Sequence, residues 1–152
     1  MTLRTAEKFL AKDILVVDDN AADTTLLQAV FKQLQVNHRL HVVADGHEAL
    51  SFLHKEGKFA HAPRPAVILL DLNLPRLPGR DVLSRLKEQP ALRTIPVMIF
   101  SSSAAERDIV DSYERGANAY LVKPFQLQEL VKLMRALVDF WLAQVAIPPA
   151  EN

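Results

Sequence analysis

The sequence predicts a single doubly wound α/β sandwich built on a five-stranded parallel sheet. Two observations predict it. Short apolar runs alternate with amphipathic segments along the 152 residues, the pattern of strand–helix units around a parallel sheet. Four of those runs also end abruptly in a chemically capable group. Ile14-Leu15-Val16-Val17 ends in Asp18-Asp19, and Ala66-Val67-Ile68-Leu69-Leu70 ends in Asp71. Val97-Met98-Ile99-Phe100 ends in Ser101, and Ala119-Tyr120-Leu121-Val122 ends in Lys123-Pro124. An unpaired charge inside a buried strand is very costly. Such residues therefore mark the carboxyl edges of strands, where open α/β sheets keep their chemistry.

The elements follow in order. After the first strand, Asn20 with Asp23 three residues later marks a helix start, and Leu26, Leu27, Val30, Phe31 and Leu34 recur at helical spacing. Leu40-His41-Val42-Val43 is a short second strand. Asp45 followed by Glu48 resembles a capping box, opening a helix that carries Ala49, Leu50 and Leu53. Gly57 through Pro65 has two prolines and no periodicity, and reads as a loop. Beyond Asp71, the turn residues Pro75, Pro78 and Gly79 lead to a helix with Val82, Leu83 and Leu86. Pro90 and Pro96 bracket the link to the fourth strand. Ser103-Ala104-Ala105-Glu106 reads as a second capping box, with Ile109, Val110 and Tyr113 on one side of its helix and Gly116 at its end. A last helix runs from about Gln126 to about Gln144. Right-handed crossovers fold five such units into a three-layer sandwich. The expected organisation is an N-terminal extension (1–12), one domain (13–145) and a C-terminal tail (146–152).

The bulk numbers exclude several classes. Hydrophobic residues make up 49% and charged residues 24%, an ordinary soluble composition. A chain of this length buries roughly 70% of its unfolded surface. Eighteen basic and eighteen acidic residues cancel, leaving nothing for nonspecific attraction to nucleic acid or membranes. There is no cysteine, so disulfides, thiolate metal sites and thiol catalysis are out. Residues 1–12 carry Arg4, Glu7 and Lys8 without an unbroken apolar core and do not read as a signal peptide. No apolar stretch reaches the roughly 20 residues of a membrane span. The expected address is the cytoplasm. The five histidines (His38, His41, His47, His54, His61) lack zinc spacing and read as surface or loop residues.

Asp18, Asp19 and Asp71 converge only if the first and third strands are neighbours, as in the flavodoxin-like order 2-1-3-4-5. Three close carboxylates repel, and each raises its neighbours' pKa. A divalent cation relieves that repulsion. Oxygen-only ligands favour Mg²⁺ or Mn²⁺, which keeps some of its waters. Lys123 can neutralise further negative charge and Ser101 can donate a hydrogen bond. Metal, ammonium and hydroxyl around a carboxylate are what phosphoryl transfer needs. Aspartate is an established nucleophile for aspartyl-phosphate formation. Asp71 is then the acceptor, with Asp18 and Asp19 holding the metal.

These residues resemble the receiver domains of two-component response regulators, over essentially the whole chain. The matching elements are Asp18-Asp19, Asp71, Ser101 and Lys123-Pro124, in that order and each at a strand end. The stretches Asp71-Leu-Asn-Leu-Pro, Tyr113-Glu-Arg-Gly-Ala-Asn and Phe140-Trp141-Leu142 resemble a narrower group, the single-domain regulators that partner cyanobacterial-type phytochromes. The resemblance implies that Asp71 accepts a phosphoryl group from a sensor histidine kinase, a phytochrome under the narrower match. It implies Mg²⁺ on Asp19, Asp71 and the backbone carbonyl of Asn73, with Asp18 acting largely through water. Ser101 and Lys123 would contact the phosphoryl group, and Tyr120 matches the aromatic switch position. It also implies a cis Lys123–Pro124 bond. Asn73 and Ser103 fall where the family tunes dephosphorylation, and neither orients a hydrolytic water, so a phosphoryl lifetime of minutes or longer is expected.

Rival readings fare less well. A haloacid-dehalogenase-type phosphatase needs an acid two residues beyond a nucleophilic aspartate on the first strand, and Asp18-Asp19-Asn20-Ala21 lacks it. A nucleotide or flavin module needs a Gly-rich loop there, and this loop is acidic. A phosphorylation-independent adaptor leaves the full set of acids, hydroxyl and lysine without a use. In the last helix, Leu127, Leu130, Val131, Met134, Leu137, Val138, Trp141, Leu142 and Val145 form an apolar stripe for the sheet. Leu133, Ala136 and Phe140 lie off that stripe. Leu133, Phe140 and Trp141 are therefore the candidate self-association surface, in the region the resembled family uses for dimers. With no room for an output domain, the signal is expected to leave through docking to a downstream protein or a dimer change.

Overall fold

A computed structural model describes residues 10–149. Residues 1–9 and 150–152, with Arg4, Glu7 and Lys8 of the signal-peptide argument, lie outside the described residues. The order is β1 (Asp13–Val17), α1 (Ala21–Gln33), β2 (Arg39–Val43), α2 (Gly46–Leu53), β3 (Val67–Leu70), α3 (Gly79–Glu88), β4 (Val97–Ser101), α4 (Glu106–Glu114), β5 (Ala119–Val122) and α5 (Leu127–Trp141). The five strands form one parallel sheet in the order β2-β1-β3-β4-β5.

Because side chains alternate across a strand, each central strand supplies two cores. Leu15, Val17, Ile68, Leu70, Val97 and Ile99 face α2 and α3, packing with Phe52, Leu83 and Leu86. Ile14, Val16, Val67, Leu69, Met98 and Phe100 face the other way, against Leu27, Val30 and Phe31 of α1 and Leu130, Met134, Leu137 and Val138 of α5. This two-sided burial is why the central strands read as continuous apolar runs. Each such side chain contributes roughly 1.5–3 kcal/mol on burial.

Register then carries the site. Val17 lies level with both Val43 and Leu70, and Ser101 with Val122. The pairing continues one residue further, where Asp18 N–H donates to Val43 O (3.0 Å) and Asp71 N–H to Val17 O (3.0 Å). Lys123 N–H likewise donates to Ser101 O (2.7 Å). The strand-end residues are thus level at one edge.

Local chemistry explains the starts of α1 and α2. Asn20 Oδ1 accepts from Asp23 N–H at 3.0 Å. Asp45 Oδ1 accepts from Glu48 N–H at 2.8 Å, while Glu48 reaches back to Ala44 N–H at 3.0 Å. The second box is a correction: α4 begins at Glu106 with Ala105 as its cap and no side-chain cap bond. Ser103 Oγ accepts from Ala105 N–H (3.2 Å) and donates to Asp108 Oδ2 (2.6 Å), so the hydroxyl is engaged two residues before the position a cap requires. The loop after α2 contains a short 3₁₀ turn, Gly57–Phe59. Helix α5 ends at Trp141, three residues early, in a turn where Gln144 N–H donates to Phe140 O. Leu127 departs from the apolar stripe and is exposed, as it precedes the stretch covered by the sheet.

One further reading changes. His41 is half-buried rather than a free surface residue, its Nε2 2.9 Å from Asp13 Oδ1 and its ring against Phe52. The Tyr113–Asn118 stretch is a structural tie between α4, α3 and β4. Arg115 donates to Ser84 Oγ (2.8 Å), and Asn118 Oδ1 accepts from Val97 N–H (2.9 Å) and Lys87 Nζ (3.3 Å).

Candidate functional site

Lys123 joins the acids. Its ammonium stands 2.7 Å from Asp18 Oδ2, 2.9 Å from Asp71 Oδ2 and 3.0 Å from Asp23 Oδ2. The other oxygens are also held: Asp18 Oδ1 accepts from Asn20 N–H (2.9 Å) and Asp71 Oδ1 from Asn73 N–H (3.1 Å). Asp18 and Asp71 are buried, whereas Asp19 and Asn73 are exposed. The Phe100 ring lies 5.7 Å from the ammonium, a contact that favours a partly desolvated cation.

Charge in the site is unbalanced. Three carboxylates against one ammonium leave an excess of two negative charges. Burial alone would pull the Lys123 pKa down, but the hydrogen bonds it donates to Asp18, Asp71 and Asp23 outweigh it and hold the ammonium protonated well above its ordinary range. Burial pushes the Asp18 carboxyl up, and the bonds from Lys123 and the Asn20 N–H offset this only in part. The Lys123 direction follows from one cation serving three acids, and the Asp18 direction from burial that a shared lysine offsets only in part.

Ser101 and Tyr120 meet at Ser103. Ser101 is fully buried and its Oγ accepts from Ser103 N–H at 3.2 Å. The Tyr120 hydroxyl donates to Ser103 O at 2.8 Å, and Tyr120 N–H donates to the Tyr113 phenol oxygen at 3.1 Å. The Lys123–Pro124 peptide is trans, correcting the cis expectation: there is no cis bond among the described residues. For X–Pro the trans form is intrinsically preferred by about 0.5–1 kcal/mol.

The donor set fits a hard divalent cation, being carboxylate and carbonyl oxygen only. Among the described residues no three acidic or imidazole side chains form a ready-made metal cage, since Lys123 holds Asp18 and Asp71 while Asp19 faces solvent. Mg²⁺ keeps several waters and uses one or two carboxylates, so a complete cage is not required.

The response regulator receiver domain family matches residues 14–135. The chain belongs to that family. It is 42% identical to response regulator Rcp1 of Synechocystis over 91% of this chain and 95% of Rcp1. It is 35% identical to the probable methanogenesis regulatory protein FilR2 of Methanothrix harundinacea, over 85% of this chain and 83% of FilR2. Among solved structures, the Mn²⁺-bound form of Rcp1 superposes with a TM-score of 0.83, covering 91% of this chain and 99% of that one. The phosphorylated cyanobacterial phytochrome response regulator RcpA superposes at 0.86 with 41% identity, covering 92% and 100%. As a receiver domain the chain is a signalling protein, and no helix among the described residues is long and apolar enough to cross a membrane.

Asp23 escaped the sequence reading as a site residue, having been assigned to the helix start. The available signal was a third acid in the first turn of the helix that follows the acidic pair. At the other surface, Leu133 and Trp141 are partly buried against the core, while Phe140 is 58% exposed and meets Trp141 edge-on at 6.1 Å. Phe125, also unremarked in the sequence, is fully exposed two residues before α5.

Proposed function

We propose that Asp71 accepts a phosphoryl group from a sensor histidine kinase of the phytochrome class, in the cytoplasm, and that the receiver unit spanning 13–145 passes the signal on. The observation that carries this is the buried Asp71 carboxylate sharing the Lys123 ammonium with Asp18 at the end of the parallel sheet. An Asp71 oxygen attacks phosphorus, the P–N bond to the kinase histidine breaks, and the imidazole departs with the bonding pair. Lys123 and Ser101 stabilise the phosphoryl oxygens. Asp19, Asp71 and the Asn73 carbonyl would hold Mg²⁺ or Mn²⁺, with Asp18 acting through water; the ion supplies charge neutralisation on the transferring group. The phytochrome partner is supported by the similarity to RcpA, and the metal by the Mn²⁺-bound form of Rcp1.

Incubation with acetyl phosphate or phosphoramidate and Mg²⁺ is expected to add one phosphoryl group by intact mass, decaying over minutes or longer. Asp71→Asn is expected to abolish the adduct completely. No adduct on the wild type with either donor would overturn the reading.

The occupied site signals through Ser101, Tyr120 and the face formed by α4, β5 and α5, to a downstream protein or by dimer change. A homodimer is supported by an apolar groove of about 290 Å³ lined by Leu121, Leu133, Ala136, Leu137, Phe140 and Trp141. Light scattering is expected to show a dimer at tens of micromolar in at least one phosphorylation state; a monomer in both would refute this part.

A further inference from the structure

We propose that Asp23 is a positioning residue that competes with the phosphoryl group for the Lys123 ammonium. The inference rests on Asp71 being the phosphoacceptor. An ammonium has three N–H donors, and all three are engaged here, by Asp18, Asp71 and Asp23. The Lys123 side chain is only 12% exposed, so it has no spare donor for a phosphoryl oxygen. One carboxylate must let go before Lys123 can neutralise charge on the transferred group.

The three are not equivalent. Asp71 is the acceptor and is fixed by Asn73 N–H, and Asp18 is buried and held on its far oxygen by Asn20 N–H. Asp23 makes the longest of the three contacts, 3.0 Å, and its side chain is 42% exposed. Its carboxylate can be released into water, where hydration offsets the lost ion pair, whereas releasing Asp18 would leave a buried charge without its cation. Asp23 is therefore the contact that exchanges. Because Asp23 sits in the first turn of α1, the exchange also removes this tie between α1 and the segment that follows β5. Asp23 thus sets how strongly the resting site holds its lysine back.

The test is binding of beryllofluoride, a tetrahedral phosphoryl analogue, to the full chain with Mg²⁺. Asp23→Asn and Asp23→Ala are expected to tighten binding roughly three- to tenfold, the range for a partly exposed charge-assisted contact. Asp23→Glu, which keeps the charge, is expected to stay near wild type. In the metal-free protein, ¹⁵N NMR should show faster proton exchange at the Lys123 ammonium in Asp23→Asn. A purely structural role would weaken binding alongside stability. Unchanged or weaker beryllofluoride binding in both neutral variants, or unchanged ammonium exchange, overturns the proposal while wild type binds normally. Failure of wild type itself to bind overturns the phosphoacceptor reading as well.

Discussion

Gly79→Ala is expected to destabilise the domain by about 3 kcal/mol, the upper end for an overpacked site, and to slow phosphorylation of Asp71. A β-carbon at position 79 would collide with the carbonyl oxygen of Asp71 itself, and would stand 2.8 Å from Leu72 Cα and 2.9 Å from Asp71 C. All three are backbone atoms, so no flexible side chain can swing aside. The Gly79 N–H also donates to Leu72 O at 3.0 Å, drawing α3 against the end of β3. Adding a methyl therefore pushes either α3 off the sheet or Asp71 out of line with Lys123. A loss of that size lowers the melting temperature by roughly 6–12 °C in a domain of this length. Thermal melts and intact-mass time courses with acetyl phosphate measure the two effects. A variant that melts with wild type would show that the β3–α3 junction is looser than this packing allows.

Lys123→Met should cost about 3–5 kcal/mol without metal, because removing one partner leaves buried charge uncompensated. Methionine nearly preserves the volume, so the loss reports charge rather than a cavity. Asp18 and Asp71 are both buried and would face each other with no cation between them. The pH dependence follows from the sign of the shift. Burial already raises the Asp18 carboxyl above its ordinary range, and losing Lys123 raises it further. A carboxyl with a raised folded-state pKa favours folding most at low pH, and that contribution is lost as pH rises through the folded value. The deficit relative to wild type should therefore shrink from neutrality to about pH 5. Saturating Mg²⁺ should also reduce it. Urea melts at both pH values, with and without Mg²⁺, give the readout; a deficit independent of pH and metal would mean the acids are not electrostatically coupled.

Much of this was legible in the chain. The buried strands appear as unbroken apolar runs because both faces of a central parallel strand are covered, and the polar residues that end them had nowhere to go except the sheet edge. Asn20 and Asp45 announced their helices because capping is a contact within four residues. Ser103 misled for the same reason in reverse. Its hydroxyl had a better acceptor in Asp108, and the cap fell to Ala105, where no side chain contributes. His41 looked like a surface residue because its partner, Asp13, lies on the neighbouring strand. The end of α5 was overrun because helical periodicity continues through Leu142 and Val145, although the backbone turns after Trp141.

The sequence by itself determined the α/β sandwich and the strand-end set of acids, serine and lysine, since alternation, caps and strand-end chemistry are local signals written in residue spacing, and the convergence of the acids pointed to the strand order. Only the tertiary structure decided that Lys123 divides its three donors among Asp18, Asp71 and Asp23, that Tyr120 bonds to Ser103 rather than to solvent, and that Gly79 stands against the backbone of Asp71. The Lys123 and Tyr120 contacts join residues from separate strand–helix units, and the Gly79 contact closes the turn between β3 and α3. Their lengths depend on register and helix packing to within a fraction of an ångström, and spacing along the chain does not carry that information.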